Sequence, residues 1–203
     1  MVPRNAIKKD AVPPVRVLAW ELTRACNLKC PYCRASSIDG REGDMSTAEA
    51  LGVLDEIALL GRPLVILSGG EPLLRDDVFE IAAQSSAMGF PTALATNGTL
   101  VTREVAGSIR KAAVRRVSVS LDYPDAARHD AIRGSGSFDA ALAGFENLRL
   151  EAVPFQVNVT VYEENAAELK QLLDFAVSLG AQAFHPFFVV NVGRAADSRI
   201  GLS

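Results

Sequence analysis

Cysteine is scarce in this 203-residue chain: there are three, and all fall between positions 26 and 33. An odd set packed that closely excludes a disulfide framework and points instead to a metal. Histidine is scarcer still, with only His129 and His185, both far along the chain from the thiols. Long apolar runs are missing. None approaches the roughly 18 to 20 residues needed to cross a bilayer, and the stretch from Met1 to Asp10 has no apolar segment of the signal-peptide kind. Both absences make a cytoplasmic protein with no membrane partner the expectation. An excess of either charge is missing too: 21 Lys and Arg stand against 24 Asp and Glu, a net charge of -3. These charges are scattered, so there is no basic stripe to follow a phosphate backbone, and nucleic acid is not an expected partner.

What is present reads as one domain with a sizeable core, since 49% of residues are hydrophobic and 22% charged. Apolar, β-rich stretches recur at 15–22, 64–67, 92–95, 116–121, 155–161 and 183–190, and segments of helical period lie between them at 47–60, 77–88, 103–112, 138–150 and 166–179. Ser46 with Glu49, and Asn165 with Glu168, have capping-box spacing. Gly61, Gly89 and Gly180 stand where a left-handed residue ends a helix. Strands alternating with helices make right-handed βαβ units, which give a parallel sheet with functional groups at the C-terminal ends of its strands. The fold class is therefore α/β, and an open, partial (β/α)6 barrel fits best; a flat, doubly wound sheet is the alternative. Residues 1–14, with Pro13 and Pro14, form a stiff lead-in, and 15–203 form the core domain, with no linker and no helix expected after the sixth strand.

The thiols lie in Cys26-Asn-Leu-Lys-Cys30-Pro-Tyr-Cys33, a loop directly after the first strand. Thiolates are the usual ligands of iron–sulfur clusters, and a cubane with four irons needs four, so three leave one iron open. The competing readings are a zinc site of three cysteines and a histidine, or three buried structural thiols. The second strand ends in Ser68-Gly69-Gly70-Glu71-Pro72. Two glycines let a ligand approach the backbone, Glu71 can accept a charge-assisted hydrogen bond from an ammonium group, and Pro72 suits a first helical turn. Ser120 and Asp122 share one face of the fourth strand, and Gln156, Asn158 and Thr160 share one face of the fifth, so the sheet has a polar inner surface. His129 reads as a structural loop histidine. The aromatics Phe184, Phe187 and Phe188 read as core, and Arg194 as a cation at the mouth able to meet a carboxylate.

The CxxxCxxC spacing with Tyr32, followed one βα unit later by Gly-Gly-Glu-Pro, resembles the radical S-adenosylmethionine superfamily. That resemblance implies a [4Fe–4S] cluster held by Cys26, Cys30 and Cys33. Its open iron would be chelated by S-adenosylmethionine and would cleave it to a 5′-deoxyadenosyl radical. It also implies that Tyr32 lies against the adenine, that Gly69, Gly70, Glu71 and Pro72 receive the methionyl amino group, that Ser120 contacts the ribose and that Arg133 contacts the methionyl carboxylate. Asn97 and Asn158 complete the cofactor-binding set. The segment from Asp122 through His129 and Asp130 to Arg133 and Gly134 matches the family's SLDG…HD..RG stretch, except that Tyr123 replaces a glycine. Across nearly the whole chain, including Trp20 to Cys26, Leu67 to Asp76 and Gly193-Arg194, the motifs resemble the heme b synthase and heme d1 (SPASM-like) group. The substrate expected from that group is a tetrapyrrole whose propionates lose hydrogen and carbon dioxide, with Arg194 and Arg34 as partners for its carboxylates and a flavodoxin or ferredoxin as electron donor. A peptide-modifying maturase and a non-catalytic metal-binding barrel remain as alternatives. No cysteine follows Cys33, so the auxiliary-cluster domain common in that group is not expected in this chain.

Overall fold

The computed structural model describes residues 14–198 and 200, so nearly all of the lead-in lies outside the described residues. Six strands follow one another as β1 (Val17–Glu21), β2 (Leu64–Ser68), β3 (Thr92–Thr96), β4 (Arg116–Ser120), β5 (Phe155–Val161) and β6 (Phe184–Phe188). The helices are α1 (Thr47–Leu59), α2 (Val78–Ala87), α3 (Arg103–Lys111), α4 (Ala126–Arg133), α5 (Ser137–Leu150), α6 (Leu169–Ser178) and α7 (Ala195–Ser198). All strand pairs are parallel and the order in the sheet is simply 1-2-3-4-5-6. A doubly wound sheet reverses direction at a switch point. This sheet never does, and it curls into a half-barrel.

The helix ends follow their local chemistry. Ser46 Oγ accepts the Glu49 N–H at 3.3 Å while Glu49 returns a carboxylate to the Ser46 N–H at 2.8 Å, the reciprocal box the spacing predicts. Gly61, Gly89 and Gly180 all have positive φ. The second capping box does not form. Asn165 turns inward, accepting from the Tyr162 N–H and donating to the carbonyls of Asp122 and Thr160, because those strand-end groups need partners more than the helix does.

The outer face of the sheet packs on the helices through Val65, Leu67, Leu94, Val117, Val119 and Val157 against Leu54, Ile57, Ile81, Ile109, Phe145 and Leu148. The inner face carries Ala19, Ser68, Ala93, Ala95, Ser118, Asn158 and Thr160, and it is hollow rather than packed. Three local expectations change. The segment after β4, read as a loop, contains α4, started by the Asp125 carboxylate on the Arg128 N–H at 3.1 Å. A short helix, α7, does follow the sixth strand. Phe187 and Phe188 are 54% and 62% exposed, because β6 is one of the two edge strands among the described residues; only Phe184 packs against the core. Among the described residues no helix is long and apolar enough to cross a membrane.

Candidate functional site

The cysteine loop leaves β1 and is folded back on itself: the Cys26 N–H donates to the Ile38 carbonyl and the Ile38 N–H to the Arg24 carbonyl, each at 2.9 Å. From β2, Gly70 N–H reaches the Thr23 carbonyl and Glu71 N–H the Ala25 carbonyl, both at 2.7 Å. A Cβ on Gly69 would stand 2.4 Å from the Thr23 oxygen, and one on Gly70 would stand 2.2 Å from the Ala25 oxygen. These glycines therefore admit the protein's own thiol loop to the backbone of β2. The approach needing room on this side is main chain, not a ligand. Their other side lines a cavity of about 550 Å³ at the C-terminal edge of the strands.

Of the residues singled out in the sequence, Cys26, Cys30, Tyr32, Cys33, Gly69, Gly70, Asn97, Ser120, Arg133 and Asn158 all line this one cavity. Glu71 and Pro72 lie behind its wall. Glu71 is fully buried and its carboxylate is already taken, accepting from Leu73 N–H, from Thr96 Oγ1 at 2.8 Å and from Asn97 N–H at 2.7 Å. It straps β2 to β3, and burial pushes its carboxyl up to about 7. Pro72 opens a 3₁₀ turn, Pro72–Leu74, as its fixed φ favours.

The three thiols differ. Burial pushes Cys26 and Cys30 up. Burial also raises Cys33, but hydrogen bonding from Ser37 and the nearby Arg194 charge outweigh it and hold that thiol below its ordinary value. Cys33 Sγ lies 3.7 Å from Ser37 Oγ, Cys26 Sγ accepts the Leu28 N–H at 3.4 Å, and Asn97 Nδ2 lies 4.0 Å from Cys26 Sγ while donating to Asn27 Oδ1. Among the described residues no three His, Cys, Asp or Glu side chains converge closely enough to hold a single ion. The zinc alternative also fails on its histidines: His129, in α4, accepts the N–H of Asp122 on Nδ1, and His185 sits beside Gln156 lower on the sheet. Three soft donors spaced around a roomy cavity fit a polynuclear sulfide centre.

Beside Cys30 lies a hub that sequence reasoning under-weighted. Asp122, fully buried, accepts from Arg133 Nε at 2.6 Å, from the Thr160 N–H at 2.9 Å and from the Tyr32 hydroxyl. Burial alone would raise its carboxyl, but the Arg133 charge and hydrogen bonds hold it below the usual range. The Arg133 guanidinium lies 5.6 Å from the Tyr32 ring centre and still borders the cavity. Alternation placed Asp122 on the polar face with Ser120; nothing local announced that Arg133, a helix later, would return to it. His129 is buried in α4 rather than in a loop, and burial with the Arg133 charge pulls it down to about 4, so it is neutral.

The two arginines expected to meet a carboxylate are both engaged. Arg194 donates to the carbonyls of Cys30 and Ser37 and to Ser37 Oγ, and Arg34 pairs with Glu21 at 2.9 Å. A Cβ on Gly193 would stand 2.3 Å from the Arg34 carbonyl oxygen, so this segment too is seated on the thiol loop.

A family model described as Radical SAM superfamily matches residues 20–194. The AdoMet-dependent heme synthase of Methanosarcina barkeri is 48% identical over 185 residues, 90% of this chain and 53% of that protein. The pre-heme d1 synthase of Dinoroseobacter shibae is 36% identical over 188 residues, 92% of this chain and 46% of the relative. The chain thus spans about half the length of these relatives. Streptococcus suis SuiB bound to S-adenosylmethionine shares the fold with a TM-score of 0.79 at 18% identity, covering 97% of this chain and 45% of that one.

Proposed function

The chain belongs to the radical SAM superfamily, and on that premise we propose that residues 15–203 are a core domain in which Cys26, Cys30 and Cys33 hold three irons of a [4Fe–4S] cluster. When bound, that cluster supplies the electron that splits S-adenosylmethionine to a 5′-deoxyadenosyl radical, which takes hydrogen from the substrate. The observation carrying this reading is that the three thiols share one cavity with Arg133, Ser120 and Asn158. Arg133, oriented by Asp122, presents its free edge to the methionyl carboxylate. Ser120 and Asn158, paired in register across β4 and β5, offer a hydroxyl and an amide to the ribose. Gly69 and Gly70 offer backbone carbonyls to the amino group, and Glu71 serves by fixing that backbone. Tyr32 provides the ring beside the adenine while its hydroxyl steadies Asp122.

The substrate we infer is a tetrapyrrole bearing propionates, one of which loses a hydrogen atom to the 5′-deoxyadenosyl radical and then carbon dioxide and one electron, leaving a vinyl group. That electron goes to a one-electron acceptor, while the electron that cleaves S-adenosylmethionine comes from a flavodoxin or ferredoxin in the cytoplasm. Identity of 48% to a heme synthase supports this over a peptide substrate. The test is anoxic reconstitution with iron and sulfide, reduction, and addition of S-adenosylmethionine. Release of 5′-deoxyadenosine that disappears in Cys30→Ala is the expected result; release that persists in that variant refutes the ligand assignment.

A further inference from the structure

The cavity beside the thiols does not end at mid-sheet. A second cavity of about 680 Å³ shares Ser68, Ala95, Ser118, Asn158 and Phe187 with it, so the two are the upper and lower halves of one lumen. Parallel barrels of this type normally fill with layers of bulky branched side chains. Here the register places Ala19, Ile66, Ala93 and Arg116 side by side in one layer. Alanines at two of the four positions leave the lower half hollow. Its wall is also uneven: apart from Ser68, β1 to β3 contribute apolar groups, whereas β4 to β6 contribute Arg116, Ser118, Gln156, Asn158 and His185 beside Phe187.

Arg116 is half-buried at the foot of this space, and its guanidinium meets only Gln156 Oε1, at 3.5 Å. It has no carboxylate partner among the described residues. Gln156 is buried and held in place, its amide nitrogen shared between Asn158 Oδ1 at 2.8 Å and His185 Nδ1 at 3.0 Å. A partly desolvated cation with no counter-ion costs stability, and a charge-assisted bond from an incoming anion would offset that cost. Of the other cations around the lumen, Arg133 is engaged with Asp122, Arg194 with the thiol loop and Arg34 with Glu21, while Arg115, which also borders the lower half, is exposed to solvent and so lacks the desolvation that makes Arg116 seek an anion.

We propose that the lower lumen is a subsite for a carboxylate of the substrate, with Arg116 as its cation and the small apolar wall of β1 to β3 against the flat body that carries it. This rests on the tetrapyrrole reading and sharpens it. Arg116 and Ser120 stand four residues apart on β4, about 13 Å at roughly 3.3 Å per residue. With Ser120 proposed as the ribose contact, the reacting group belongs at that end of the strand, so the anchored carboxylate and the reacting group would be separated by a comparable span, which favours an extended polycarboxylate over a compact acid.

The full chain, reconstituted anoxically, is titrated with iron-coproporphyrin III and separately with its tetramethyl ester, following the Soret band, with thermal melting to verify the fold of each variant. Arg116→Gln is expected to weaken binding of the free acid about 10-fold, the size of one charged hydrogen bond. Arg116→Lys should recover part of that, and the ester should bind wild type no better than the acid binds Arg116→Gln. Ala93→Leu, which fills the apolar wall, should weaken both ligands. Equal binding of acid and ester, or wild-type affinity in Arg116→Gln, would overturn the subsite while sparing the tetrapyrrole reading. No porphyrin binding by wild type would overturn that reading and the subsite with it.

Discussion

Arg194 donates from Nε to the carbonyl oxygen of Cys30 at 2.9 Å, across 164 positions of chain. Its Nη1 and Nη2 go to Ser37 O and Ser37 Oγ, and its own N–H goes to the Cys33 carbonyl, so one residue beyond β6 braces both flanks of the thiol loop. Partners one shell out from a metal ligand typically change metal affinity 10- to 100-fold. Arg194→Ala is therefore expected to lower iron affinity by about 10-fold, with Arg194→Lys intermediate because an ammonium cannot reproduce the planar fork. Iron per chain after reconstitution checks this. A shifted midpoint in EPR-monitored redox titration would separate loss of the Ser37 contact to Cys33 from simple loosening.

Gly70→Ala should be strongly destabilising, because the new Cβ would sit 2.2 Å from a backbone oxygen that cannot move without shifting the whole thiol loop. A loss well above about 1 kcal/mol is expected in urea unfolding. Gly52→Ala, in α1 with nothing within 4 Å, should instead gain about 0.5 to 1 kcal/mol. If both behaved alike, the clash would not be the cause.

Asp122→Asn removes one partner of a buried ion pair and leaves Arg133 charged and alone, which should cost about 3 to 5 kcal/mol. The double variant Asp122→Asn with Arg133→Met removes both charges. It is expected to be more stable than Asp122→Asn alone, and chemical denaturation of the three proteins decides the point.

Stability against pH should show two opposing slopes. Burial raises Glu71 from an ordinary 4.5 to about 7, so between those values the unfolded chain releases a proton that the folded chain keeps, and stability falls as pH rises. Burial and the Arg133 charge lower His129 from 6.5 to about 4, so between those values the unfolded chain binds a proton the folded chain refuses, and stability rises with pH. Each shift corresponds to roughly 3 kcal/mol. Wild type should therefore change little between about pH 4.5 and 6.5 on account of this pair. Glu71→Gln should uncover a rise over that window and His129→Asn a fall; urea midpoints across the range would show it, and an unchanged profile in either variant would count against the burial argument for that residue.

The strands were legible because their two faces differ chemically: Val157 and Val159 pack outward, while Asn158 and Thr160 face the lumen. The thiol loop was legible from spacing alone. What local pattern does not carry is who approaches whom. Gly69 and Gly70 signal a close approach, but that the approaching atoms are those of Thr23 and Ala25 is a property of the folded sheet. Glu71 looks like a ligand group by type and is consumed by three internal donors. Arg194 looks like a cation at a mouth and turns out to hold carbonyls. Phe187 and Phe188 read as core because hydrophobicity does not reveal that a strand lies at an edge of the described sheet. Arg116 gave no signal at all, since an arginine at a strand start is ordinary until the register sets Ala93 beside it.

The uninterrupted 1-2-3-4-5-6 strand order means that each strand can be added to the rim left by its predecessor as the polypeptide emerges during synthesis. The thiols are made first, but Gly193 and Arg194 arrive only after the sixth strand has joined. A ribosome must therefore deliver all six strands before the nascent thiol loop acquires the brace that Arg194 provides, so the conformation of that loop is completed by a residue made 164 positions after Cys30.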